Sequence, residues 1–252
     1  MTNKPAVKVF PTLQELSWAA AHRLENLARF GSLGGKKVFT LALSGGNTPR
    51  LLCQILASDT MAGRIRWDRV HIFQVDERTV PPDHPDSNYG MIREALLKHI
   101  SIPEENIHRL PGDHPDRDEA CRQYALEISR TLKVPEHEWP RFDMVFLGMG
   151  PDGHTASLFP GTEALQEKAL WVRPNFVEKM QTYRLTLTLP VLNAAADVVF
   201  LVAGADKAET LQQVLEGPPG KFPAQLVQPT NGQVSWFVDE WAAKKLSPAL
   251  RG

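Results

Sequence analysis

A mostly parallel β-sheet covered by helices on both faces, the α/β class, is the architecture this sequence predicts. Three observations predict it. Short apolar runs rich in Val, Ile, Leu and Phe alternate with longer stretches of helical spacing. Some of these runs, 144–147 and 198–202 among them, are apolar throughout, as strands buried on both faces should be. The runs also pass directly into glycine or acidic turns before a helix begins, the rhythm of a strand–helix–strand series.

Residues 38–43 form the first predicted strand, which ends at Ser44-Gly45-Gly46. A helix is predicted from Thr48 or Pro49 towards Leu56, because Thr caps well and Pro suits a first turn. A second strand over 70–75 ends in Asp76-Glu77-Arg78, followed by a Pro/Asp-rich loop and a helix over 89–99. Cys121, Ala125, Ile128 and Leu132 give residues 118–132 a helical apolar face. Residues 144–147 form a buried strand that runs into Gly148-Met149-Gly150, and further strands are predicted over 185–189, 198–202 and 235–238. In the first of these, Leu185, Leu187 and Leu189 alternate with Thr186 and Thr188, which predicts a wet face shared by Arg184. A helix follows Gly204, from Asp206 or Lys207 to Leu215. Ligands on such sheets gather beyond the carboxyl ends of the strands, which directs attention to Ser44, Asp76, Gly150 and Gly204.

Composition narrows the function classes. With 252 residues the chain suits one large domain or two small ones. Lys+Arg total 28 and Asp+Glu 29, so there is no basic excess to neutralise nucleic-acid phosphates or an anionic membrane. Cys53 and Cys121 stand in predicted helices among apolar neighbours, outside any CxxC or Cys/His cluster, as buried free thiols do. The first twenty residues lack a signal-peptide core, and no run reaches the ~18 apolar residues of a membrane span. A cytoplasmic protein without nucleic-acid or membrane partners is expected, and a monomer.

Ser44-Gly45-Gly46-Asn47-Thr48 joins a strand to a helix start. Glycines let backbone amides approach an anion, the helix dipole adds attraction, and the Ser44 and Thr48 hydroxyls can donate. A bare Gly-Gly pair is more often a plain tight turn; the strand end and the flanking hydroxyls favour an anion cradle here. No Gly-Lys-Ser/Thr closes the loop, so a nucleoside triphosphate is not implied.

Gly148-Met149-Gly150-Pro151-Asp152-Gly153 matches the GxGxxG dinucleotide pattern in letters only. A dinucleotide site needs a long helix opening at its third glycine and an acidic strand end ~20 residues on. Here Pro160-Gly161 would stop any helix within two turns, and Glu163 and Glu167 lie in a helical or loop segment. The segment offers His154 on a glycine-flanked loop at a strand end, with Asp152 or Asp76 available to orient it. An isolated imidazole among eight is ordinarily a solvated or core group; His154 differs in standing at the mouth of the cradle. With an ordinary pKa near 6.5, it suits proton abstraction from water. The other histidines show no metal-ligand spacing, so no metal is expected.

Together these segments resemble the 6-phosphogluconolactonase family. The resemblance is carried by Ser44-Gly45-Gly46-Asn47-Thr48-Pro49, Asp76-Glu77-Arg78 with Ser87-Asn88-Tyr89-Gly90, residues 148–161 (GMGPDGHTASLFPG), Arg184-Leu185-Thr186-Leu187-Thr188, and Gly204-Ala205-Asp206-Lys207-Ala208. The 148–161 run is the most specific. Asn47 replaces the family's commoner Ser and still offers an amide donor. The resemblance implies one domain over 1–252 with a modified Rossmann-like sheet, related to glucosamine-6-phosphate deaminase and ribose-5-phosphate isomerase. It implies cofactor-free hydrolysis of 6-phospho-D-glucono-1,5-lactone in the oxidative pentose phosphate pathway. His154 would be the general base, Asp76 an orienting group, and Arg78 a stabiliser of the oxyanion or holder of substrate. Ser44, Gly45, Gly46, Asn47, Thr48, Arg184 and Lys207 would bind the phosphate; without the resemblance, Arg184 and Lys207 read as solvated surface cations.

Two alternatives are weighed against this. An amino-sugar-phosphate isomerase/deaminase continues its histidine loop as GHIAFNEPG, and its supporting Glu falls on Phe159 here, which cannot hold a proton. A non-catalytic sugar-phosphate sensor would not need His154, Asp76 and Arg78 together.

Overall fold

The computed structural model describes residues 6–33 and 38–251. In chain order the strands are β1 (Ala6–Phe10), β2 (Phe39–Leu43), β3 (Val70–Gln74), β4 (Asp76–Arg78), β5 (Ile107–His108), β6 (Met144–Leu147), β7 (Val172–Val177), β8 (Thr182–Leu187), β9 (Asp197–Val202) and β10 (Gln233–Asp239). The helices are α1 (Leu13–Leu33), α2 (Asn47–Leu56), α3 (Asn88–Ala95), α4 (Arg117–Leu132), α5 (Leu189–Ala194), α6 (Ala208–Glu216) and α7 (Pro248–Arg251), with short 3-10 turns between elements.

Seven strands form one sheet in the order β1-β10-β9-β6-β2-β3-β5. All of its pairings are parallel. Parallel strands alternate faces residue by residue, so each run needs apolar residues on both faces to serve two cores. β2 does this: Leu41 and Leu43 pack with α1, α2 and α3 on one face, while Ala42 joins the core beneath α4, α5 and α6 on the other. The α/β class read from the sequence is the class observed. Among the described residues, no helix is long and apolar enough to cross a membrane.

The sequence reading placed no element before residue 38. The structure has β1 and the 21-residue α1 there, the helix packing through Leu16, Ala20, Ala21, Leu24 and Ala28. The first five residues of the N-terminal stretch lie outside the described residues. The helix expected over 89–99 breaks at Leu96 and resumes as a 3-10 turn over Leu97–His99.

One strand needs correcting. The run expected over 185–189 overlaps β8, which ends at Leu187 so that Leu189 instead opens α5, and β8 belongs to a separate antiparallel sheet of order β4-β8-β7. Its expected wet face fails at Thr186 and Thr188, which are fully buried, while Arg184 on the same face is partly exposed and lines the cleft described below. Their hydroxyls find partners inside the protein: Thr186 donates to the Leu187 carbonyl at 2.9 Å and Thr188 to that of Leu170 at 2.7 Å. Alternation of Leu and Thr marks one apolar and one polar face, but an internally satisfied hydroxyl need not meet water.

Val75 ties the two sheets together. Its amide donates to Leu43 of β2 at 3.0 Å, and its carbonyl accepts from Leu187 at 2.8 Å. The chain therefore leaves the carboxyl end of β3 and enters β4 at once, which sets the small sheet against the carboxyl ends of the large one. The chain goes from β2 outward to β3 and β5, then returns to place β6 on the other side of β2. That reversal opens a crevice beyond the ends of β2 and β6, the expected ligand position in such sheets.

Candidate active site

A cleft occupies this crevice. Ser44, Gly45 and Gly46 line it from the end of β2, Asp76 and Arg78 from β4, and Asn88 from α3. The loop after β6 contributes Gly148, Met149, Gly150, His154, Thr155, Ala156, Ser157 and Phe159; Met180 and Arg184 come from the β7–β8 hairpin.

The loop after β6 is a tight glycine turn, closed by hydrogen bonds from the Gly150 amide to His154 (2.9 Å) and from the Gly153 amide to Gly150 (3.0 Å). No helix opens at Gly153, which removes the structural basis of a dinucleotide site. A Cβ at Gly150 would lie 2.0 Å from the His154 Cε1, so only glycine lets the imidazole lie against the chain here. The ring also stacks on Phe159, with centroids 4.1 Å apart. Its Nδ1 is 2.5 Å from Asp152 Oδ1. An ionised carboxylate only accepts, so Nδ1 carries the proton and Nε2 keeps its lone pair. Burial pushes the His154 pKa below its ordinary value, and Asp152 only partly offsets this. Burial alone would raise the Asp152 carboxyl, but hydrogen bonds from Lys179 and His154 prevail and bring it to about 2.

β4 sends alternate side chains in opposite directions. Asp76 faces the cleft, nearly buried, and accepts from the Ser157 hydroxyl at 2.7 Å. Glu77 points away and is buried, with five donors around its carboxylate. Oε1 accepts the Arg78 and Asn88 amides at 2.7 Å each. Oε2 accepts Gln74 Nε2 (2.7 Å), Ser87 Oγ (3.1 Å) and the Tyr89 amide (2.8 Å). Three of the five come from the start of α3, where a carboxylate also meets the positive end of the helix dipole. Glu77 thereby fixes α3 to β4.

α3 in turn supplies Asn88. Its Nδ2 donates to the Asp76 carbonyl at 2.8 Å, and its Oδ1 is buried without a hydrogen-bond partner. That oxygen lies so close to Gly45 that a Cβ there would sit 1.7 Å from it.

Arg78 returns to the cleft side of β4, directly opposite Arg184 on β8. Burial and the charge of Arg78 hold the Arg184 pKa below the usual guanidinium value. Arg78 donates to the Asp86 carbonyl. Arg184 donates to the Tyr183 carbonyl at 3.2 Å and lies 3.6 Å from the Met180 sulfur.

At the cradle, Gly46 has φ +103° and precedes α2 without any side-chain cap. Among the described residues the amides of Gly45, Gly46, Asn47 and Thr48 donate to no carbonyl or side chain, so they stand free at a helix start. The Ser44 hydroxyl was expected to donate to an anion; it donates instead to the Phe146 carbonyl at 3.0 Å.

Of the residues singled out in the sequence, Ser44, Gly45, Gly46, Asp76, Arg78, His154 and Arg184 meet in the cleft. Asn47 and Thr48 are the first residues of α2, directly after the lining residue Gly46, and their side chains are not part of the lining. Lys207 stands at the start of α6 with its ammonium 3.0 Å from Asp206 and does not line the cleft. Sequence reasoning missed roles for Glu77, Asn88, Ser157 and Lys179. The first three lie inside motifs quoted for the resemblance, but spacing alone gave no sign of what they touch.

A family model described as glucosamine-6-phosphate isomerases/6-phosphogluconolactonase matches residues 11–236. The chain is 42% identical over 211 residues to a 6-phosphogluconolactonase of Synechocystis, covering 83% of this chain and 85% of the relative. Against the human protein of that name, identity is 39% over 244 residues, covering 96% and 93%. The solved 6-phosphogluconolactonase from Trypanosoma cruzi superposes with a TM-score of 0.85 at 28% identity, covering 98% of each chain. The chain belongs to the glucosamine-6-phosphate isomerase/6-phosphogluconolactonase family.

Proposed function

We propose that the chain, acting as one lactonase domain, hydrolyses 6-phospho-D-glucono-1,5-lactone to 6-phospho-D-gluconate, the lactonase step of the oxidative pentose phosphate pathway. Lactone hydrolysis is the activity that the names of the relatives carry. One observation of geometry carries the reading: an imidazole with a free Nε2 shares a cleft with free helix-start amides and two arginines.

In this reading His154 Nε2 takes a proton from water as the water oxygen bonds to the lactone carbonyl carbon. Asp152 holds the imidazolium through Nδ1–H, as an orienting carboxylate does. Negative charge gathers on the carbonyl oxygen, which Arg78 is placed to meet. The tetrahedral species then collapses: the bond to the ring oxygen breaks, and His154 returns its proton to that oxygen. Asp76, held by Ser157, orients substrate hydroxyls. The phosphate rests on the amides of residues 45–48 with Arg184 above; the Ser44 hydroxyl supports the loop through Phe146. Lys207 joins only by exchanging Asp206 for the phosphate. The enzyme acts on a small free substrate as a cytoplasmic monomer, with no nucleic-acid or membrane partner. Phe159, stacked beneath His154, argues against isomerase/deaminase chemistry, since a benzyl group relays no proton.

The test is lactone hydrolysis measured above the spontaneous rate. His154→Ala is expected to lose at least roughly 10²-fold in kcat while remaining folded. Turnover near that of the wild type would reject His154 as the base.

A further inference from the structure

The hairpin between β7 and β8 ends in a 3-10 turn, Glu178–Met180, closed by Gln181 in the left-handed region at φ +50°. Its tip does not stand free in solvent. Lys179 forms an ion pair with Asp152 Oδ2, while Asp152 Oδ1 holds His154. The same ammonium lies 4.7 Å from the centroid of the Phe159 ring, on which the His154 imidazole stacks. Met180, the next residue, lines the cleft beside Arg184. One carboxylate thus serves two partners, the Lys179 ammonium on one oxygen and the His154 imidazole on the other.

We infer that Lys179 is a positioning residue for the reaction: by occupying the second oxygen of Asp152 it sets the proton affinity of His154 from outside the cleft. The inference rests on the reading of His154 as the base. An ion pair whose lysine is 49% exposed adds little to folding stability. Its effect falls on the imidazole instead. Asp152 alone would draw His154 towards the imidazolium, which cannot accept a proton from water. Burial already favours the neutral ring; Lys179 adds to this by diverting part of that negative charge, while Asp152 still fixes the Nδ1–H tautomer. The charged groups bearing on His154 are Asp152 from its own loop, Lys179 from the hairpin and Asp76 from β4; Phe159 covers one face without charge.

The experiment is an NMR titration of the His154 imidazole in the full-length wild type and in Lys179→Met, Lys179→Gln and Lys179→Arg. Lys179→Met is expected to move the midpoint up by roughly half a unit or more, the scale of one nearby charge. Gln retains a donor for Asp152 without the charge, so Lys179→Gln should move it likewise; Lys179→Arg should keep the wild-type value. The acid limb of kcat/KM should follow the same order. An unchanged or lowered midpoint in Lys179→Met would overturn the inference. So would a wild-type midpoint in Lys179→Gln, because the hairpin would then act as a tether alone. The titration needs no substrate, so a failure of the lactonase reading would appear in the hydrolysis assay and not here.

Discussion

Arg78 and Arg184 face each other directly across the β4–β8 ladder, and among the described residues neither has a carboxylate within 4.0 Å. Like charges opposite each other in a sheet are destabilising, so the pair lowers the stability of the empty protein in exchange for a site that favours an anion. Arg184→Met should therefore leave the melting temperature of the ligand-free protein unchanged or raise it. Binding of 6-phosphogluconate should weaken by about 1–3 kcal/mol, as for loss of a charge-assisted hydrogen bond. Thermal melts with and without the product check both halves. An earlier melt of the free protein with undiminished stabilisation by product would show that the pair is structural.

The depressed pKa of His154 fixes the sign of two pH effects. The base is neutral down to a pH below 6.5, so kcat/KM should hold level to that point and fall only at more acid pH. Stability responds to the same shift. Below about pH 6.5 the unfolded chain takes up the proton first, so stability present above that value is lost as pH falls towards the folded-state pKa. Wild type should consequently lose more stability between pH 8 and pH 5 than His154→Gln does. Parallel urea titrations at the two values measure the difference, and equal losses would contradict a buried neutral imidazole.

What the sequence revealed and what it hid follow from the range of the interactions. β2, β3, β6 and β9 were readable because strands buried on both faces are mostly apolar, and the few polar residues in them, such as Thr40 and Gln74, are satisfied internally. The antiparallel sheet was not, because the Leu–Thr alternation of β8 is the same whether its hydroxyls meet water or carbonyls. In the site, Ser44, Asp76, Arg78 and His154 could be found because each follows a strand end, where chain position predicts spatial position. Lys179 reaches Asp152 across 27 positions by way of a hairpin turn, and nothing local encodes that approach. Lys207 shows the converse: it too follows a strand end, yet its ammonium turns to its neighbour Asp206.

Glu77 offers a test of how the site is held in place. Five donors converge on its buried carboxylate, and Gln would turn an amide donor of its own towards some of them. Glu77→Gln should destabilise the fold by about 2–4 kcal/mol, the scale of losing charged hydrogen bonds and burying unmatched donors. Urea unfolding measures this directly. A change within roughly 0.5 kcal/mol, typical of a surface substitution, would mean the network does not anchor α3.

The contact between Gly45 and Asn88 joins the proposed phosphate cradle to the strand that carries Asp76. A Cβ on residue 45 would fall 1.7 Å from Asn88 Oδ1, which the fold cannot absorb without moving one of them. Asn88 is itself held by its bond to the Asp76 carbonyl, so the glycine turn is the part that must shift. Gly45→Ala should then raise KM for the phosphorylated lactone by roughly tenfold, equivalent to about 1.4 kcal/mol. In an Asn88→Ala background the obstructing oxygen is gone, and the same substitution should cost much less. Residues in contact commonly show coupling energies of about 0.5–3 kcal/mol, so the cycle has room to detect the effect. Equal penalties in both backgrounds would mean that Gly45 is needed for its backbone freedom or its approach to the anion, and that Asn88 does not set the position of the cradle.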